Sequence, residues 1–256
     1  RKTPMRHLTL VAVALLVVAC GSPAPDGDMR ARNTAIVAVD APPGSVAEAN
    51  WRRFGDNVRV WAPEVRLELR TGVDAGSPAQ RVAAVQAGEV QLAMLPPETA
   101  VALVPELAVL SVPGLFASQE EADHVLDKVL LAAFRPLFSA KGLRLLDWVD
   151  DDWQDPAARR VYRSGVIVAN KDWYDRLTPH DRDVFTQAYG SAGQARADSR
   201  AAARGAAGSV PAAETGDEVA ASAEAGDHAA LIAQAGGQSQ QVYDLIQQGK
   251  RDFAAR

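Results

Sequence analysis

The sequence is poor in the residues that make disulfides and metal sites, with one cysteine and four histidines. Because a lone cysteine, Cys20, has no second cysteine to pair with, an internal disulfide and a thiolate metal cluster are excluded. None of the histidines has metal-ligand spacing to another histidine or to the cysteine. We therefore expect neither a metal site nor a cofactor.

The sequence also lacks an excess of positive charge and the common catalytic motifs. Its formal net charge is −5, which gives no electrostatic reason to expect nucleic acid as a partner. It contains no glycine-rich phosphate loop and no Gly-x-Ser-x-Gly motif. The acidic run 150–152 could suggest a metal or acid cluster, but three adjacent side chains point in different directions, which favours a solvated charge run. These absences argue against an enzyme.

An apolar run occupies residues 8–19 near the N-terminus. It is too short to span a bilayer and has the length of a signal-peptide hydrophobic region. The small Ala19 directly before Cys20 is typical of a lipobox. We interpret residues 1–20 as a lipoprotein signal peptide with Cys20 as the lipidated residue, and residues 21–33 as a flexible tether. The alternatives are a plain secretory signal with an incidental cysteine, or a core helix.

Residues 34–256 alternate between short apolar segments and longer segments with helical periodicity. The short segments are rich in valine and leucine and end at proline, glycine or aspartate. Alternation of this kind predicts an α/β fold with a mainly parallel sheet. The predicted strands are 34–39, 65–70, 90–95, 107–112, 143–149 and 161–169.

Several helix ends carry capping signals. Ser77 precedes a proline at the first helical position, and Gly88 suits the left-handed residue at the end of the same helix. The segment Ser118–Glu121 has the form of a capping box, and Pro136 is expected to interrupt the last turns of the helix that follows. Toward the C-terminus the apolar spacing predicts two further helices, at 178–208 and 239–253, the second packing back on the body.

The segment from Gly72 to Asp150 resembles the first lobe of the solute-binding receptors of TRAP transporters. The resemblance rests on a helix ending at Gly88 before a short strand, on the pair Pro105-Glu106, and on a Pro-x-x-Phe turn ending at Phe116. It implies a periplasmic-binding-protein-like domain at 34–256 with its first lobe at 34–150. It further implies a non-enzymatic periplasmic receptor that captures a small organic acid for TRAP membrane permease subunits, by closure of two lobes around the ligand.

The resemblance is interrupted after the strand at 143–149. In the family much of the second lobe follows this strand, whereas here a charged connection leads to residues 161–177, which resemble a late strand and the helix after it. The resemblance therefore implies a second lobe that is reduced or missing, with 161–256 holding the late strand and long C-terminal helices. The alternative function is a one-lobe lipoprotein that serves as a scaffold or interaction module and binds no small ligand.

Ligands of open α/β sheets bind at the carboxyl ends of the strands. Ala41, Ser77 and Pro96 lie at such predicted ends, and the resemblance adds Arg163 as a fourth ligand-binding candidate. Ser77 begins a helix whose free N–H groups favour an anion, or it is simply an N-cap. Pro96 offers no donor where the family often has a polar residue. Arg163 could pair with a carboxylate through two hydrogen bonds, or could face solvent.

Overall fold

The computed structural model describes residues 34–150, 164–190 and 228–256. The predicted signal peptide and tether lie outside these residues, as do two of the site candidates, Cys20 and Arg163. The interpretations that rest on them stay predictions. Residues 1–33, before the first strand, and residues 151–163, before the fifth strand, are therefore not part of the described fold.

The centre of the fold is a five-stranded sheet in the order β2-β1-β3-β5-β4. β1 pairs in parallel with β2, from Thr34 opposite Arg66 onward, and in parallel with β3. β5 pairs antiparallel with both β3 and β4, so four strands share one direction and β5 opposes them. The predicted α/β fold is confirmed, with a mixed sheet. The strands are β1 Thr34–Val39, β2 Arg66–Thr71, β3 Leu92–Leu95, β4 Leu143–Asp150 and β5 Ser164–Asn170.

Helices cover both faces of the sheet, and most begin where the capping signals predict. The Ser118 side chain accepts a hydrogen bond from the Glu121 N–H, and the Thr178 side chain accepts one from the Asp181 N–H. The helices are α1 Val46–Trp61, α2 Pro78–Ala87, α3 Pro97–Leu103, α4 Gln119–Val125, α5 Leu131–Ser139, α6 Lys171–Arg176, α7 at 179–190, α8 at 228–235 and α9 Ser239–Ala254, with short 3-10 segments at Gly72–Ala75 and Pro105–Ser111.

Two apolar cores lie on opposite faces of the sheet. The first core is formed by α2 to α5 and α9, and its fully buried aromatic side chains include Phe134 and Phe138. The second core is formed by α1, α6 and α7, where Phe54 packs against Phe185 and Tyr189. Alternate residues of β1 enter the two cores, which is why its sequence is apolar throughout.

Two predictions about the middle of the chain are wrong. The apolar run 107–112 is a 3-10 segment, Pro105–Ser111, and not a strand. A short apolar run is equally compatible with a buried helix turn, and Pro105 favours the first helical position. Pro136 also fails to interrupt its helix, because α4, a π-helical turn at Leu126–Leu130 and α5 follow one another without a break to Ser139.

The C-terminal helix α9 packs back on the first core, as predicted. Gly249 allows this close approach, since a Cβ atom there would lie 3.0 Å from Val129 and 3.1 Å from Val125. The Lys250 ammonium donates a hydrogen bond to the Leu115 carbonyl at 2.5 Å. These contacts attach the end of the described chain to the π-helical turn and to the loop before α4.

The described parts of the chain hold one sheet, of five strands, and the reduced or missing second lobe stays a prediction. β4 and β5 are neighbours in that sheet and are joined through residues 151–163. A connection of this length is far smaller than a domain with its own core, which needs about 50 residues or more.

Candidate functional site

The carboxyl ends of β1, β2 and β3 lie at one edge of the sheet because the three strands are parallel. The chain leaves β1 toward α1 in the second core, whereas α2 and α3, which follow β2 and β3, pack in the first core. Connections that leave neighbouring strands on opposite faces open a crevice between them, and ligands of open α/β sheets bind in such crevices. The candidate site is therefore the crevice between β1 and β3 at this edge.

The strand pairing shows where the crevice opens. The parallel pairing of β1 and β3 covers Val37 with Leu92 and Ala38 with Ala93. Pairing ends there, although β1 continues to Val39 and β3 to Leu95. Beyond this point the two strands form no further ladder pairs, which is where we place the opening.

Three of the predicted site residues lie at this edge. Ala41 follows β1 and is fully buried, so its side chain is not exposed at the edge. Pro96 follows β3 and occupies the N-cap position of α3, without a side-chain capping bond. Ser77 follows β2 and the 3-10 segment and begins α2. The structure brings the three loops together, and the ligand-binding role of these residues stays a prediction.

Ser77 also has a structural function, because it caps helix α2. Its side chain accepts a hydrogen bond from the Gln80 N–H at 3.3 Å, and the Gln80 side chain accepts one from the Ser77 N–H at 2.8 Å. The pair forms a complete capping box, with Pro78 at the first helical position. The predicted N-cap role of Ser77 is therefore confirmed, and its hydroxyl oxygen already accepts a hydrogen bond within α2.

A glutamate fixes the loop after β1. The Glu48 carboxylate accepts hydrogen bonds from the Gly44 N–H at 2.7 Å and from Arg52 at 2.7 Å. The bond from the Gly44 N–H is the main cause that lowers the pKa of Glu48, and the Arg52 guanidinium lowers it further. Ser45 adds an N-cap bond to the Glu48 N–H. The loop that borders the crevice is therefore held by polar contacts to α1.

Arg81 was not among the predicted site residues, and it is hydrogen-bonded to the segments that meet at this edge. Its side chain is only 2% exposed. Its Nη1 donates to the Gly76 carbonyl at 2.7 Å and its Nε donates to the Met94 carbonyl at 3.1 Å. Its Nη2 donates to the Asp40 carboxylate at 3.4 Å. One guanidinium thus connects the segments that follow β1 and β2 with the end of β3.

The sequence held a weak signal for this arrangement. In α2, Arg81 is one turn before Val85, a fully buried core residue. A charged residue at that spacing lies on the apolar face of a helix, and buried charges need partners. The identity of the partners depends on three separate loops and was not accessible from the local sequence.

The fourth predicted residue, Arg163, lies outside the described residues, which resume with Ser164 at the start of β5. The strand begins at Ser164, opposite Asp150 at the end of β4, which places the chain at the same carboxyl edge. A Cβ atom on Gly165 would lie 2.6 Å from the Leu95 carbonyl oxygen, so β5 needs a glycine to approach β3 here. The chain therefore returns into the sheet beside the crevice.

A separate groove of about 530 Å³ lies between α1 and the edge strand β2. Its floor includes Gly55 and Leu67, and its rim carries Arg52, Arg59 and Arg66. Two of these arginines pair with acidic neighbours on α1, Glu48 and Asp56. The groove is lined by α1, β2 and the connection between them, and holds none of the predicted site residues.

Among the described residues no group of histidine, cysteine, aspartate and glutamate side chains is arranged to hold a metal ion. The described helices include none that is long and apolar enough to cross a membrane.

The fold is an α/β fold of the periplasmic-binding-protein type. Residues 62–160 match the family described as bacterial extracellular solute-binding protein, family 7. No curated protein matches the chain in sequence.

Solved structures of TRAP periplasmic solute-binding proteins have the same fold over most of the chain. The protein from Ochrobactrum anthropi is 15% identical with a TM-score of 0.66, and the match covers 86% of this chain and 96% of that one. The sugar acid binding protein from Advenella mimigardefordensis, in complex with galactonate, is 16% identical with a TM-score of 0.65, over 84% and 98%. The protein from Anaerococcus prevotii, with bound D-glucuronate, is 13% identical with a TM-score of 0.66, over 86% and 99%.

The predicted resemblance to TRAP-transporter solute-binding proteins is confirmed by the family match and by the shared fold. The matched family is one of solute-binding proteins, and the matched structures are binding proteins of TRAP transporters, in agreement with the prediction of a binding protein rather than an enzyme. The matched family is extracellular, in agreement with the coarse prediction of location.

Proposed function

We propose that this protein is a periplasmic receptor that captures a small organic acid for a TRAP-type transporter. The observation that carries the proposal is the TRAP solute-binding fold over 86% of the chain, with the crevice between β1 and β3 formed by described residues. Structural relatives have been solved with galactonate and with D-glucuronate. A sugar acid is therefore the first ligand to test.

The experiment is thermal unfolding of the purified full chain with and without galactonate, D-glucuronate and a panel of simpler carboxylates. A ligand that binds the folded state stabilises it by about 2.7 kcal/mol at a hundredfold excess over the dissociation constant. We expect a cooperative transition whose midpoint rises with one acid and not with its uncharged sugar. A cooperative transition that no acid shifts would contradict the proposal.

Arg163 is part of this proposal as a partner for the ligand carboxylate, together with backbone donors near Ala41, Ser77 and Pro96. Replacement by methionine, Arg163→Met, is expected to weaken binding of the acid that shifts the midpoint. Arg59→Met removes the same charge from an exposed position on α1 and serves as the matched control. Equal affinities of the two variants would remove Arg163 from the site.

We also propose a lipid anchor on Cys20, which would hold the receptor at a membrane next to the permease subunits. The support is the apolar run at 8–19 that ends in Ala19-Cys20. Labelled palmitate supplied to expressing cells should enter the natural chain and should not enter Cys20→Ser. Incorporation into both proteins, or into neither, would contradict the anchor.

The second candidate is a one-lobe scaffold or interaction module without a small ligand. The observation in its favour is the short connection 151–163 between neighbouring strands β4 and β5. The same thermal experiment separates the two functions, because a scaffold folds cooperatively and responds to no acid.

A further inference from the structure

Arg81 is a buried cation at the place where the sheet opens. Its side chain is 2% exposed and is bonded to Met94 in β3 and to Asp40 just after β1. A charged group in the interior is costly unless it is paired and hydrogen-bonded. Two of its hydrogen bonds go to backbone carbonyls, of Gly76 and Met94, which carry no formal charge.

The only carboxylate that pairs with Arg81 among the described residues is that of Asp40, and the pair is loose. The Nη2–Oδ2 distance is 3.4 Å, whereas charge-assisted hydrogen bonds of this type are usually about 2.7–2.9 Å long. The Asp40 side chain is 55% exposed. The counterion of the guanidinium is thus a half-exposed surface carboxylate.

The guanidinium also has donor capacity left. Arginine carries five N–H groups, and three of them have acceptors among the described residues. The bonds to Gly76 and Met94 fix the plane of the guanidinium. Its Nη2 edge is directed toward Asp40. A carboxylate that takes the place of Asp40 would meet a positioned cation.

We propose that Arg81 is a ligand-binding cation of this receptor in addition to Arg163, and that the Asp40 carboxylate occupies the position of the ligand carboxylate while no ligand is bound. The inference rests on the proposed function and names a further residue that would recognise the acid. On binding, the ligand carboxylate replaces the Asp40 carboxylate at Nη2, and Asp40 moves into solvent. The ligand class is a small organic acid with at least one free carboxylate, such as a sugar acid.

The test is isothermal titration of the full chain with D-glucuronate, with galactonate and with D-glucose as the ligand that lacks a carboxylate. Arg81→Met is expected to weaken acid binding by at least about tenfold, the order expected for loss of a hydrogen bond to a charged group. Arg59→Met, which removes an exposed arginine of α1, is expected to bind as the natural chain does.

Asp40→Asn tests the same proposal without changing Arg81. Removal of the competing carboxylate is expected to raise acid affinity by about threefold or more, the range of a partly exposed ion pair. Asp74→Asn removes an exposed carboxylate from the 3-10 segment at the same edge, and so controls for the general change in charge. It is expected to have a smaller effect than Asp40→Asn.

The outcomes are distinguishable. If the natural chain binds no carboxylate, the proposed function fails, and the assignment of Arg81 fails with it. If the natural chain binds an acid and a folded Arg81→Met variant binds it equally well, only the assignment of Arg81 is overturned. If Arg81→Met does not fold, the comparison of Asp40→Asn with Asp74→Asn decides, and equal affinities of these two variants overturn the assignment.

Discussion

At the scale of single residues, a few side chains and one glycine set the geometry of the carboxyl edge. Arg81 joins the segments after β1 and β2 to the end of β3, and Gly165 lets β5 lie against β3. Both residues work through contact with backbone carbonyls. Because both residues are buried, replacing either one should change the stability of the protein or the local backbone geometry.

Gly165→Ala should destabilise the protein. The added Cβ atom would lie 2.6 Å from the Leu95 carbonyl oxygen, a backbone atom that cannot move without shifting β3. We expect the free energy of unfolding to fall by about 1–3 kcal/mol, the range for overpacking, in a urea titration followed by circular dichroism. Gly190→Ala is the control, because a Cβ atom there would have no heavy atom within 4 Å. A similar response of the two variants would show that the close approach is absent.

Asp175 should make stability depend on pH in the acid range. Its pKa is lowered from 3.8 to about 2, mainly by hydrogen bonds from Arg144 and to a lesser extent by the bond from Lys171. Because the folded-state pKa lies below the unfolded one, this contribution is present above about pH 4 and is lost as the pH falls through about 2. The contribution should be modest, since the side chain is 34% exposed and screened by solvent.

The measurement is the difference in unfolding free energy between the natural chain and Asp175→Asn as a function of pH. We expect the natural chain to be the more stable near neutral pH and the difference to shrink as the pH falls below about 4. Asp56→Asn, which changes an exposed ion pair on α1, is the control. A difference that is constant from neutral to acid pH would contradict the assigned pairing of Asp175 with Arg144.

At the scale of secondary-structure elements, the helices that border the crevice are fixed by local capping bonds. α2 carries a full capping box at Ser77 and ends at Gly88, whose φ of 77° is left-handed. α1 is fixed through Ser45 and Glu48. These are interactions between residues close in sequence, which is why the helix starts could be predicted from the residues alone.

Ser77→Ala should separate the capping role of Ser77 from its predicted role in ligand binding. Loss of an N-cap lowers stability by about 1 kcal/mol, which urea unfolding would detect. Ser118→Ala removes the same kind of bond at the start of α4 and should cost a similar amount. If Ser77 only caps α2, its variant will bind the acid with unchanged affinity once stability is taken into account. A clear loss of affinity at equal stability would place the hydroxyl in the ligand site.

At the scale of the whole molecule, one sheet is shared by two cores. β1 sends alternate side chains to both cores, and the aromatic residues Trp148 and Trp51 lie in the first and second core respectively. Because neither core is complete without the sheet, we expect them to unfold together.

The prediction is a single cooperative transition in urea. Two variants, Trp148→Phe and Trp51→Phe, are each unfolded in urea. For each variant, the curve followed by tryptophan fluorescence should coincide with the curve followed by circular dichroism, as two-state unfolding requires. Two separate transitions, with one reporter changing before the other, would show that the cores are independent. Such a result would also favour the scaffold function over a single rigid binding lobe.

The sequence by itself determined the α/β class, the approximate positions of all five strands of the sheet, and the helix caps at Ser77 and Ser118. These features depend on apolar periodicity and on hydrogen bonds between near neighbours. The run at 107–112 was assigned wrongly because a short apolar segment has no periodicity that separates a strand from a buried 3-10 turn.

Only the tertiary structure decided the reversed direction of β5, the place where the pairing of β1 and β3 ends, and the burial of Arg81. Each of these depends on contacts between residues far apart in the chain, such as Arg81 with Asp40 or Gly165 with Leu95. A sequence pattern records which side chains are apolar. It does not record which loops lie together at one edge of a sheet, and the candidate site is formed by such loops.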